Sequence, residues 1–112
     1  MDNPKKTNIE RRQFFRVVYT DKYHPTLSIR NVDYEVLDIS ETGIRFKIKH
    51  NVKLPGDLFQ ANVRLHNDDT IGVTGRIIRI TGEQAAMLMV VKKIPYQFIL
   101  SEQAFLRHCN EE

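Results

Sequence analysis

The stretch Gly43-Ile44-Arg45-Phe46-Lys47-Ile48-Lys49 carries the plainest structural signal in the chain. Ile44, Phe46 and Ile48 alternate with Arg45, Lys47 and Lys49, and successive side chains of a strand point to opposite faces. One face is therefore buried and the other solvated, as in an antiparallel sheet with one wet side. The same period recurs upstream. Val17-Val18-Tyr19-Thr20 is β-branched and aromatic, and Pro25 interrupts before Thr26-Leu27-Ser28-Ile29-Arg30. Asn31-Val32-Asp33 reads as a turn and Tyr34 to Ser40 as the next strand. Strict alternation there places Val36, Asp38 and Ser40 on one face and Leu37 and Ile39 on the other. Downstream, Leu58–His66, Ile71–Ile80 and Ala85–Val91 read as strands, parted by turn residues at Pro55-Gly56-Asp57, Asn67-Asp68-Asp69 and Thr81-Gly82-Glu83. Gly72 and Gly75 suggest bends or a close approach of backbone.

Short strands at this spacing predict an all-β antiparallel sandwich or barrel, and closure into a six-stranded β-barrel removes exposed sheet edges. After Pro95 the period changes. Phe98, Ile99, Phe105 and Leu106 recur at helical spacing, with Ser101 as a cap and Glu102 in the first turn. The expectation is a short amphipathic C-terminal helix over Ser101–Cys109, lying over one mouth of the barrel. Met87 and Met89 fall in a strand and read as core filler.

At 112 residues the chain predicts one folded unit: a flexible basic leader over residues 1–11 and a barrel domain with its helix over residues 12–112. No apolar run approaches the ~20 residues of a membrane span, so no membrane insertion is expected. The opening Met1-Asp2-Asn3-Pro4-Lys5-Lys6 has no apolar secretory core, and the single Cys109 suits a reducing compartment. A cytoplasmic location is the expectation. The net charge of +3 is unevenly spread. Residues 1–16 hold five Lys/Arg against two acids, whereas residues 17–112 hold twelve of each. The excess thus lies wholly in the N-terminal arm, which suits one anionic ligand better than a long duplex track.

That arm contains Glu10-Arg11-Arg12-Gln13-Phe14-Phe15-Arg16. Arginine suits bidentate contact with phosphate oxygens and with the O6/N7 edge of guanine. Phe14 and Phe15 have two roles open to them, packing against the barrel to hold the arm or stacking on a base. A second segment, Asp38-Ile39-Ser40-Glu41-Thr42-Gly43, supplies complementary groups. A carboxylate accepts from the N1–H and N2–H₂ donors of guanine, and a serine hydroxyl bonds a phosphate or a base edge. Gly43 is free to take positive φ and to admit a ligand close to the backbone. Taken alone, Asp-x-Ser-x-x-Gly is better explained by a hairpin turn with side-chain-to-backbone bonds.

Arg12-x-x-x-Arg16 ahead of the first strand, followed by Asp38-x-Ser40-x-x-Gly43, resembles the PilZ domain family. The resemblance extends over nearly the whole chain, through Pro55-Gly56-Asp57, Gly75-Arg76-Ile77-Ile78 and the terminal helix. It implies a six-stranded barrel that binds the second messenger cyclic di-GMP. Arg12 and Arg16 would grip phosphates and guanine O6/N7 edges, Asp38 and Ser40 would read the other base edges, and Gly43 would admit the ligand. It further implies a receptor without cofactor, whose arm changes conformation and which signals to a separate protein controlling motility, adhesion, exopolysaccharide or virulence. An arginine at the position of Arg11 goes, in the family, with two intercalated ligands per site.

Other function classes fit less well. His24, His50, His66 and His108 are scattered without metal-ligand spacing, no Gly-rich phosphate loop is present, and His108-Cys109 reads as a surface pair. No enzymatic activity and no metal site are expected. A small barrel for single-stranded nucleic acid would need a row of exposed aromatics on its strands. A PilZ-like adaptor binding only proteins would have no use for both ligand motifs.

Overall fold

The computed structural model describes residues 15–49 and 52–111. In chain order these form β1 (Val17–Val18), β2 (Thr26–Ile29), β3 (Val32–Ile39), β4 (Gly43–Lys47), β5 (Phe59–Arg64), β6 (Thr70–Thr81), β7 (Gln84–Lys92) and α1 (Tyr96–Glu111). The leader over residues 1–11, with Arg12 and Phe14, lies outside the described residues. Strand β3 pairs β2 through its first half and β4 through its second. Strand β4 pairs β7, β7 pairs β6, β6 pairs β5, and β5 returns to β2. All pairings are antiparallel, so β2 to β7 close the six-stranded barrel that the alternation predicts. Strand β1 is an addition: Val17 lies opposite Ile39 and Val18 opposite Asp38, alongside the half of β3 that β2 leaves free.

Two local features decide which side chains face where. Arg30 and Asn31 both take positive φ (50° and 68°) between the paired Ile29 and Val32. A two-residue loop of this kind matches the right-handed twist of its strands, so the turn ends one residue before Val32. Val32 and Asp33 belong to β3 and not to a turn. The second feature is a bulge. Val36 lies opposite Phe46 but Asp38 opposite Arg45, leaving Leu37 as one extra residue. One inserted residue reverses the facing of everything after it. Val36 and Ile39 both enter the core, while Asp38 turns outward beside Arg45. The expectation that Val36 and Asp38 share a face is thereby corrected.

The interior is filled by Leu27, Val36, Ile39, Ile44, Phe46, Val63, Val73, Met87 and Met89, all essentially inaccessible. The two methionines are core filler, as expected. Gly75 permits a tight crossing. At a break in the β6–β7 register, an ideal Cβ there would sit 2.0 Å from the Leu88 carbonyl oxygen and 2.8 Å from Met89 Cα. Gly72 has room, its nearest neighbours being 3.8 Å away. Gly75→Ala should therefore cost about 1–3 kcal/mol by overpacking, and Gly72→Ala within about 0.5 kcal/mol of nothing. Urea denaturation of the two variants checks this; equal midpoints would contradict it.

Helix α1 starts at Tyr96, directly after Pro95, whose carbonyl accepts from the Phe98 N–H at 3.0 Å. This is five residues earlier than the helix expected at Ser101. Proline loses nothing just before a helix, where its missing N–H is not needed. Ser101 is consequently an exposed mid-helix residue, and Glu102 is buried instead of sitting in a first turn. Ile99, Glu102 and Leu106 share the face packed on the barrel. The helix lies at the barrel end where β3, β5 and β7 finish, which is also the end carrying the β3–β4 turn.

Candidate functional site

Asp38 is the centre of the outer-face arrangement. Because of the Leu37 bulge its carboxylate lies on the outside of the barrel, with β1 on one side and β4 on the other. Arg16 precedes β1 by one residue and shares the facing of Val18, the residue opposite Asp38. Its Nη1 donates to Asp38 Oδ1 at 2.7 Å. From the other side Arg45 Nη2 approaches Oδ2 at 2.6 Å. The Asp38 side chain is 1% exposed and those of Arg16 and Arg45 are 51% and 44% exposed. A carboxylate buried this completely needs charged partners to offset lost hydration, and two guanidinium groups supply them, one by a hydrogen bond and one as an ion pair. Oδ2 nevertheless receives no aligned hydrogen bond among the described residues: the Arg45 contact is an ion pair without hydrogen-bond geometry. One buried acceptor thus retains capacity beneath two half-exposed cations.

Ser40 and Gly43 lie at the turn that follows. The Ser40 N–H donates to the Gly43 carbonyl at 2.8 Å, and the Gly43 N–H donates to Ser40 Oγ at 3.0 Å. The serine oxygen therefore closes its own turn, which is the local role the motif allows on its own. Gly43 is the first residue of β4 and its φ is not positive, so the freedom to take a left-handed conformation is not used here. An added Cβ would meet Ser40 Oγ at 3.5 Å and the Met87 carbonyl at 3.8 Å, ordinary contacts. What glycine contributes here is an outward position without a side chain.

Of the sequence-predicted site residues, the structure brings together Arg16 and Asp38, with Ser40 and Gly43 at the adjoining turn. Arg11 and Arg12 lie outside the described residues. Phe15 packs against the core and meets the Tyr96 ring edge-on, centroids 6.2 Å apart, tying the arm to the start of α1. Arg45 was missed as a site residue, because simple alternation marks it only as solvated. The signal for it is the extra residue in β3, which cannot be seen without the pairing.

Residues 10–104 match the family model of the PilZ domain. This chain belongs to the PilZ domain family. The barrel, the arm residue Arg16 and the Asp38 turn are thus parts of a PilZ domain, a family of the cyclic di-GMP-binding type. The crystal structure of an uncharacterized Legionella protein resembles this PilZ domain with a TM-score of 0.57 at 15% identity, over 88% of this chain and 96% of that one. At that identity the likeness concerns the fold alone. A comparison with curated proteins returns no match. Among the described residues, no helix of this PilZ domain is long and apolar enough to cross a membrane.

Proposed function

We propose that this PilZ domain is a non-catalytic cytoplasmic receptor for cyclic di-GMP that passes its signal to a separate protein partner. The observation that carries the reading is Asp38, an outward carboxylate buried between the half-exposed guanidinium groups of Arg16 and Arg45. Cyclic di-GMP is a dianion bearing two guanines. Arg12 and Arg16 take its phosphates and O6/N7 edges, and Asp38 accepts from N1–H and N2–H₂ of a base. Ser40 and Gly43 border the ligand at the turn. To reach the ligand, Arg16 gives up part of its bond to Asp38. Phe15, the residue before it, rests on Tyr96, so movement of the arm is felt at α1. That coupling is the proposed conformational signal to the partner.

Arg11 sets the count of ligands. Two stacked molecules bring four phosphate charges together, and a third guanidinium lowers their repulsion. Calorimetric titration with cyclic di-GMP should show saturable binding of two ligands per chain, and Arg11→Leu should shift the count toward one. No binding in the wild type would overturn the receptor reading, whereas saturation at one would remove only the role of Arg11.

A further inference from the structure

We propose that the cyclic di-GMP footprint continues from the two motifs across the outer face of β4, β7 and β6, where Arg45 and Arg79 flank Ala86 and together hold a phosphodiester. This rests on the receptor reading above and adds residues that neither motif contains. The register supplies the first part of the argument. Asp38 lies opposite Arg45, Arg45 opposite Ala86, and Ala86 opposite Arg79, one unbroken row across four strands. Ile44 and Phe46 point inward, as do Ala85 and Met87, so Arg45 and Ala86 point outward. A second bulge at Ile78 sets Arg79 opposite Ala86 and brings it onto the same row.

Size and charge supply the second part. Neighbouring strands are about 4.8 Å apart, so the Arg45 and Arg79 backbones stand roughly 10 Å from each other. Two long arginine side chains can converge across that gap. Ala86 fills little of it, and a cavity of about 200 Å3 remains, lined by Arg45, Arg79, Thr81, Gln84, Ala85 and Ala86. Arg79 is exposed and makes no ion pair among the described residues. Arg45 is paired with Asp38 on its β3 side, so Arg79 leaves one guanidinium charge in excess over this cavity, and an anion seated over Ala86 offsets it. The adjacent row repeats the pattern: Gly43 has no side chain, Leu88 is apolar, and Arg76 is a cation. Together the rows form a low apolar floor with cations at its rim, which suits a planar base joined to a phosphodiester.

The test is titration of wild type, Arg79→Ala, Ala86→Leu and Arg107→Ala with cyclic di-GMP, with urea midpoints to verify folding. Arg107 is an exposed residue of α1, outside both rows, and its replacement removes the same charge. Arg79→Ala and Ala86→Leu should each weaken binding about ten- to a hundredfold, and Arg107→Ala less than about twofold. Wild-type affinity in both face variants would overturn the extension and leave the receptor reading standing. No binding by the wild type would remove both.

Discussion

Arg16→Ala should remove most of the affinity for cyclic di-GMP, a loss of about 2–5 kcal/mol, or roughly thirty- to several-thousand-fold in the dissociation constant. Two effects add. The ligand loses a planar, permanently charged donor, and Asp38 loses the hydrogen bond that orients it at 2.7 Å. Arg16→Lys should recover only a part, because an ammonium keeps the charge but not the fork. Folding and binding are separable at this position. The Arg16 side chain is 51% exposed, so solvent screens its pair with Asp38 and the contribution to stability is about 1 kcal/mol at most. Arg45 continues to cover the carboxylate in the variant. A urea midpoint near wild type with binding lost is the expected result. Binding retained at wild-type strength would exclude Arg16 from the site.

Much of this was legible because strand alternation survives translation into structure wherever the pairing is regular. Ile44, Phe46, Val63 and Met87 are all core residues that the two-residue period marks. Arg16 and Asp38 were also legible, as members of two motifs separated by a length of chain that only a barrel brings together. The hidden parts share one cause, which is that a local rule was overruled by a distant partner. The Leu37 bulge depends on how β3 meets β4, so alternation alone misplaced Asp38 and left Arg45 unnoticed. The turn at Arg30–Asn31 was displaced because an arginine at positive φ gives no compositional warning. The start of α1 was missed because Ser101 is an attractive cap, yet the helix begins at Tyr96 and packs Ile99 against the barrel. With the helix begun too late, Glu102 falls in a first turn instead of on the buried face.

Glu102 is instead completely buried, and its removal should be among the most damaging single changes to the fold. The carboxylate accepts from the Tyr19 hydroxyl at 2.7 Å and from the His66 backbone N–H at 3.3 Å, and it pairs with His66 Nδ1. These bonds tie α1 to the chain after β1 and to the end of β5. The rings around them are packed as one group: His66 stacks on Phe105, with centroids 4.2 Å apart, and Tyr23 meets both Phe105 and Tyr19 edge-on. Glu102→Ala strands a phenol and an imidazole without their acceptor and opens a void, at a cost of about 3–5 kcal/mol. That is a large share of the roughly 5–15 kcal/mol by which a domain is stable. Tyr19→Phe removes one donor and no volume to speak of, so about 1–1.5 kcal/mol is expected. The pH dependence separates this polar anchor from plain apolar packing. Burial first, and then the bond to Glu102, push the Tyr19 phenol far above its ordinary value near 10, and burial with the Glu102 charge raises Tyr23 as well. A phenol whose folded value is raised contributes stability that is fully present below about pH 10 and is lost as pH climbs beyond it, because the unfolded chain ionises first. Wild type should therefore lose stability steeply above about pH 10, with tyrosinate absorbance from Tyr19 and Tyr23 appearing only as the fold opens. Glu102→Ala should show a lower urea midpoint at neutral pH and a shallower alkaline slope. If its midpoint and slope equal those of wild type, Ile99 and Leu106 alone hold the helix, and the carboxylate is not the anchor.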